Sequence, residues 1–135
     1  MILFDTSAWI DYLRGVDTAA TQDVRRRLTE SADEVVTCEP VAMELLAGAP
    51  NDSVLRKLEH LVNALPSLAI DSTTDFRAAA DIYRSARRAG LTVRSLNDCL
   101  IATIALRHGA TLVHKDAEFD VIAGVIDIDA VSLRT

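Results

Sequence analysis

The sequence predicts an α/β fold with a mainly parallel central sheet and helices on both faces. Three observations carry that reading. Short apolar or β-branched runs alternate with longer segments of helical period along the whole chain. Helix-boundary residues stand between them: Pro40 at one start, and Gly15, Gly48, Gly90 and Gly109 at stops. No repeat, low-complexity stretch or linker interrupts the alternation, so residues 1–135 are expected to form a single domain, long enough for a real core.

Met1–Phe4 is a continuous apolar run and reads as a buried strand. Thr6–Arg14 looks helical and stops at Gly15. Asp17–Ser31 is a second helix, with Val24 and Leu28 inward and Arg25, Arg26 and Arg27 mostly outward. Glu34–Thr37 is a short strand. Pro40 suits the first turn of a helix and Gly48 its end. Asp52–Leu65 carries Leu55, Leu58, Leu61, Val62 and Leu65 at helical spacing. Leu68–Ile70 reads as a brief strand. Ser72 and Asp75 form a capping box for a helix ending near Gly90, and Ser95 and Asp98 form another for a helix ending at Gly109. Thr111–His114 is a strand, Ala117–Ala123 a short helix, and Ile126–Leu133 holds a final strand.

The formal net charge of −6 argues against a nonspecific polyanion binder, which is usually basic. That objection weakens if acids are pooled in a metal pocket. Cys38 and Cys99 make no CxxC pair and no zinc-like set with the histidines, so they read as two buried thiols in a reducing compartment. No apolar stretch approaches the ~20 residues that span a bilayer, and the start lacks a signal-peptide pattern, so a cytoplasmic protein is expected.

Four acids stand where hydrophobic elements begin or end: Asp5, Glu44, Asp98 and Asp116. Each has a structural reading. Asp5 and Asp116 suit helix N-caps, and Asp98 suits the third position of a capping box. Glu44 fits none of these, because it lies in an apolar helix with no basic residue three or four positions away. An unpaired, partly buried carboxylate is costly unless a cation meets it. In parallel sheets the working site lies beyond the carboxyl ends of the strands, where all four acids can converge. Gathered carboxylates without His or Cys suit Mg²⁺ or Mn²⁺ rather than zinc.

ILFDTSAWID, EPVAMELLAG and LNDCLIATIALRHGATLVHKDAEFD together resemble PIN-domain nucleases, and among them the VapC toxins of type II toxin–antitoxin pairs. The resemblance covers essentially the whole chain. It implies a PIN-like three-layer α/β/α sandwich and a metal-dependent endoribonuclease. Asp5, Glu44, Asp98 and Asp116 match the family's acidic quartet. Asp5 and Asp98 are the expected direct metal ligands, with Glu44 and Asp116 acting through water or a second ion. The family often has D-x-D-F after the last site strand, whereas this chain reads D-A-E-F, so Glu118 replaces the second acid on a longer arm. Thr6 or Ser7 matches the polar residue beside the first Asp, and Asn97 the polar neighbour of the third acid. Hydrolysis of a structured RNA such as tRNA, leaving a 3′-hydroxyl and a 5′-phosphate, is implied. So are a homodimer and a cognate VapB-like antitoxin, with Trp9, Leu13, Leu55 and Leu58 as groove candidates.

Arg77, Arg84 and Arg88 share or border one helix face, and Arg87 and Arg94 flank the loop before Asp98. Arg87, Arg88 and Arg94 are the candidates for RNA backbone contacts, which position without specifying sequence. Trp9, Tyr12, Tyr83 and the three histidines read as structural. Two other readings remain. A receiver-like Mg²⁺-binding regulatory domain would need paired acids after the first strand, where this chain has Asp5, Thr6 and Ser7. A catalytically silent PIN-like binding module would differ only by assay.

Overall fold

The computed structural model describes residues 1–134 and contains four strands, all paired in parallel. β1 (Ile2–Phe4) lies inside the sheet between β2 (Val35–Val36) and β3 (Thr111–His114), and β4 (Ala130–Ser132) pairs with the outer side of β3. Leu3 stands opposite Val36 on one side and Leu112 on the other, which fixes the register at the centre. Leu3, Phe4, Leu112 and Val113 are buried, as continuous apolar strands covered on both faces should be.

The helices are α1 (Thr6–Leu13), α2 (Ala19–Glu30), α3 (Glu39–Ala47), α4 (Asp52–Ala64), α5 (Asp75–Arg88), α6 (Leu96–His108) and α7 (Ala117–Ala123). They complete a three-layer α/β/α sandwich. Their boundaries follow local chemistry. Thr18 and Asn51 cap α2 and α4 through their side-chain oxygens. Pro40 sits in the first turn of α3. Gly109 ends α6 in the left-handed conformation, φ 67°, which costs glycine little. Helix α6 is the central one: every residue from Asp98 to Ala105 is buried. Trp9, Phe4, Phe119, Ile101 and Ile104 are among the largest fully buried side chains, and Phe4 meets Trp9 edge to face at 5.1 Å. Cys38 and Cys99 are buried free thiols, pushed up to about 12 and about 11 by burial.

Two expectations are corrected and one is narrowed. Leu68–Ile70 forms no strand: the contact shrinks to a bridge between Thr37 and Ser67, in which Thr37 donates to the Pro66 carbonyl and accepts from Leu68. The last strand covers only Ala130–Ser132, which is the length that finds partners on β3. Ser72 and Asp75 form no capping box. Thr74 occupies the N-cap without a side-chain bond, and Asp75 turns instead to Arg107 on α6. That pair is bidentate, at 2.8 and 2.9 Å, and Arg107 also donates to the Ala69 carbonyl. Asp75 also accepts from the Asp71 N–H at 2.8 Å, so it joins the turn before α5 to α6.

Asp75→Asn should lower stability by about 2 kcal/mol, the scale of a hydrogen bond to a charged group. The Arg107 guanidinium holds the Asp75 carboxyl below its ordinary 3.8. Its contribution is therefore present above that value and lost as the pH falls through the lower folded value. Urea unfolding should show mutant and wild type differing at neutral pH and converging in strong acid.

Candidate active site

Asp5 closes β1 and opens α1. Its backbone N–H donates to the Val113 carbonyl at 2.9 Å, which ties its position to β3. Its Oδ2 accepts from the Ser7 N–H at 3.0 Å and the Ser7 hydroxyl at 2.6 Å. Its Oδ1 is buried and has no partner among the described residues. The expected capping role is real, but it occupies one oxygen and leaves the other buried without a partner among the described residues.

Glu44 is half-buried in α3, and its Oε1 accepts a long bond from the Thr6 hydroxyl at 3.4 Å. Asn97 on α6 reaches the same neighbourhood, with its amide donating to the Pro40 carbonyl at 3.4 Å. Asp98 is buried at the third position of α6, and its own N–H donates to the Ser95 hydroxyl at 3.2 Å. Asp5, Glu44 and Asp98 each present one carboxylate oxygen within 4.8 Å of the others.

Asp116 lies outside that triad but close enough for its charge to push Asp5, Glu44 and Asp98 upward. It caps α7 through Oδ1, which accepts from the Glu118 N–H at 2.9 Å. Glu118 itself turns to backbone, accepting from Arg94 N–H at 2.6 Å and Ser95 N–H at 3.2 Å. Thr6 and Ser7 divide their work, Thr6 to Glu44 and Ser7 to Asp5. Lys115 and His114 were not foreseen as supports. The Lys115 N–H donates to the Ser7 hydroxyl at 2.9 Å, its ammonium pairs with Asp11 at 2.6 Å, and His114 Nδ1 accepts from the Asp116 N–H at 3.2 Å. No spacing signal could have shown the first two links, which join residues more than a hundred positions apart.

Burial and mutual repulsion raise all three triad carboxyls, with burial first in each case. Asp98 is pushed up to about 8, by burial and then by the adjoining Glu118 carboxylate. A hard divalent cation relieves both penalties. The oxygen-only donor set and the unpartnered Asp5 Oδ1 fit such an ion.

The expected arginines separate. Arg94 lines a cleft of about 460 Å³ with Thr92, Asp116 and Glu118, beside the acids. Arg87 lies 5.4 Å over the Tyr83 ring, and Arg88 donates to the Ser85 hydroxyl. A second hollow of about 390 Å³, lined by Thr6, Ile10, Leu13, Leu45, Val54 and Leu58 among others, includes two of the expected groove residues. Trp9 is only 1% exposed, so it belongs to the core, and Leu55 is not part of that lining.

The family model for the PIN domain matches residues 2–125. Ribonuclease VapC11 of Mycobacterium tuberculosis is 58% identical over 134 residues, covering 99% of this chain and 100% of the relative. This chain belongs to the PIN-domain family, among its VapC ribonucleases. The receiver-like reading is thereby set aside. Among solved structures, VapBC-1 of nontypeable Haemophilus influenzae superposes with a TM-score of 0.76 at 20% identity, covering 98% of each chain. DNA-bound VapBC of Salmonella typhimurium gives 0.75 at 20% identity, with the same coverage. At that identity these two establish the PIN fold. As a VapC-family member, the chain is an endoribonuclease of the toxin type. No helix among the described residues is long and apolar enough to cross a membrane.

The raised Asp98 carboxyl sets a pH dependence. The folded, metal-free chain takes up a proton below about 8, whereas the unfolded chain waits until near 3.8. Stability is therefore complete below the unfolded value and lost as the pH rises through about 8. His114, lowered from 6.5 by burial, acts oppositely once the pH falls below 6.5. In EDTA the melting temperature should rise as the pH is lowered from about 8.5 to about 6.5, and Asp98→Asn should flatten that rise. Thermal melts across this window check it.

Proposed function

We propose that this chain is a Mg²⁺-dependent endoribonuclease, with Mn²⁺ as a substitute ion. In this reading a single domain over residues 1–135 acts as a homodimer in the cytoplasm on a structured RNA such as tRNA. The observation that carries the metal reading is the convergence of one carboxylate oxygen each from Asp5, Glu44 and Asp98 within 4.8 Å of one another, with Asp5 Oδ1 buried and without a partner among the described residues. Asp5 and Asp98 would hold the ion directly, with Glu44 as the third carboxylate of the set. When bound, the ion lowers the pKa of a water and offsets charge at the scissile phosphate.

The chain's own groups do the rest. Ser7 holds Asp5 Oδ2 and is itself held by the Lys115 N–H, which leaves Asp5 Oδ1 available for the ion. Thr6 and Asn97 steady Glu44. Asp116, outside the triad, orients the attacking water and takes its proton. Attack at phosphorus breaks the bond to the 3′ oxygen, which takes a proton from solvent, and yields a 3′-hydroxyl and a 5′-phosphate. Arg94 holds the RNA backbone at the cleft rim, with Arg87 and Arg88 further out.

A VapB-like antitoxin supplies the control. The Haemophilus and Salmonella relatives are VapBC structures, and another neighbour is a toxin–antitoxin complex from Klebsiella pneumoniae. The hollow at Leu13, Leu45 and Leu58 suits the apolar face of a partner helix. Thr6 borders both that hollow and Glu44, so a helix seated there ends beside the acids.

Asp98→Asn and Asp5→Asn should each lower RNA cleavage by more than about a hundredfold, beyond the usual effect of losing an outer-shell partner. Purified chain incubated with total RNA and Mg²⁺, followed by mapping of new 5′ ends, measures this and identifies the target. Wild-type rates in either mutant would remove that residue from the site.

Replacing Arg87, Arg88 and Arg94 with Ala should weaken RNA binding and flatten its salt dependence by about 0.7 to 0.9 in log–log slope per lost phosphate contact. Arg94→Ala alone should account for most of the change, because Arg87 and Arg88 are engaged with Tyr83 and Ser85. Binding across a salt series in EDTA decides it; an unchanged slope would make all three a solvated face.

A further inference from the structure

Helix α6 begins with half of a capping box. Ser95 Oγ accepts from the Asp98 N–H, as an N-cap should. The reciprocal bond, from the third-position acid back to the N-cap N–H, is not made by Asp98. The Ser95 N–H goes to Glu118 Oε2 at 3.2 Å, and the Arg94 N–H goes to Glu118 Oε1 at 2.6 Å. Glu118 stands 23 and 24 positions away, on α7. Its own N–H is held by Asp116 Oδ1. A continuous path thus runs from Asp116 through Glu118 to the backbone of 94–95 and on to Asp98.

We propose that Glu118 is a positioning residue for Asp98. It completes the cap of α6 from another element, so that Asp98 is not needed for the Ser95 N–H; the Glu118 carboxyl also adjoins the Asp98 carboxyl, whose oxygen lies with those of Asp5 and Glu44. Each of its oxygens already accepts a backbone N–H, which is a positioning role rather than a ligand role. The family's usual Asp at this place has a shorter arm, and the extra methylene of Glu gives the reach to span two successive amides. The same tie fixes the backbone of Arg94 at the rim of the cleft. The inference rests on the proposed reading that Asp98 holds a divalent ion.

Two measurements on the full chain test it without any cleavage assay: Mn²⁺ affinity by electron paramagnetic resonance, and amide hydrogen exchange at Arg94 and Ser95. In Glu118→Ala both amides should lose protection, and Mn²⁺ affinity should fall about 10- to 100-fold, as for loss of an outer-shell support. Glu118→Gln keeps one acceptor oxygen. It should retain protection at Arg94, the shorter bond, lose it at Ser95, and recover most of the lost affinity. Asp98→Asn should lose more affinity than either while keeping both amides protected. A ligand role predicts instead that Glu118→Gln binds Mn²⁺ as poorly as Asp98→Asn, and that result overturns the proposal. So does unchanged protection of both amides in Glu118→Ala or, if that variant fails to fold, of the Ser95 amide in Glu118→Gln. Wild-type Mn²⁺ affinity in Asp98→Asn would overturn the underlying metal reading, an outcome distinct from the other two.

Discussion

The parallel pairing of β1 with β3 is the constraint on which the site depends. Parallel strands bring their carboxyl ends to the same edge of the sheet, so Asp5 and the segment from His114 to Asp116 emerge together. β2 pairs in the same sense, so α3 departs from that edge too and carries Glu44 over it. Helix α6 precedes β3 and returns antiparallel to it, which puts its first turn, with Asp98, at the same edge. Four acids from four distant segments then share one neighbourhood because of strand direction alone. An antiparallel β1–β3 pair would send Asp5 and Asp116 to opposite ends.

Crowding carboxylates in a half-buried pocket raises their protonation and works against the fold, unless a cation is close. The chain limits that cost by dividing each acid's two oxygens between jobs. Asp5 spends Oδ2 on Ser7, and Asp116 spends Oδ1 on its own helix. Asp5 Oδ1 is left buried without a partner among the described residues. Supports such as Ser7, Thr6 and the Lys115 backbone therefore determine which oxygen faces inward, and with it the direction from which an ion is approached.

The same division explains how an acidic chain, with a net charge of −6, belongs to a ribonuclease family. Three of its acids are pooled in a set that fits a divalent ion, while Arg94 lines the adjoining cleft. Arg107 is withdrawn from any such role by Asp75, and Lys115 by Asp11. Basic residues counted along the sequence thus overstate what is available to RNA.

Much of this was legible in the sequence because it is local. The buried runs of β1 and β3, the helix stops at Gly90 and Gly109, and the Ser95 cap depend on residues within a few positions of each other. Glu44 could be singled out because no neighbour within one helical turn could neutralise it. Other features depend on partners far away in sequence. Asp75 read as a cap and became the buried partner of Arg107, 32 positions on. Trp9 read as structural, with a groove role as the other option, and it is core because α1 packs its indole against Phe4. Glu118 read as a spare metal ligand, and its oxygens lie on backbone amides of another element. Periodicity and capping chemistry act over one or two turns, and by themselves they determined which elements form and which carboxylates lack a local partner. Which oxygen faces the pocket, and which charge is already paired, follows from hydrogen bonds across elements, and only the tertiary structure decided those.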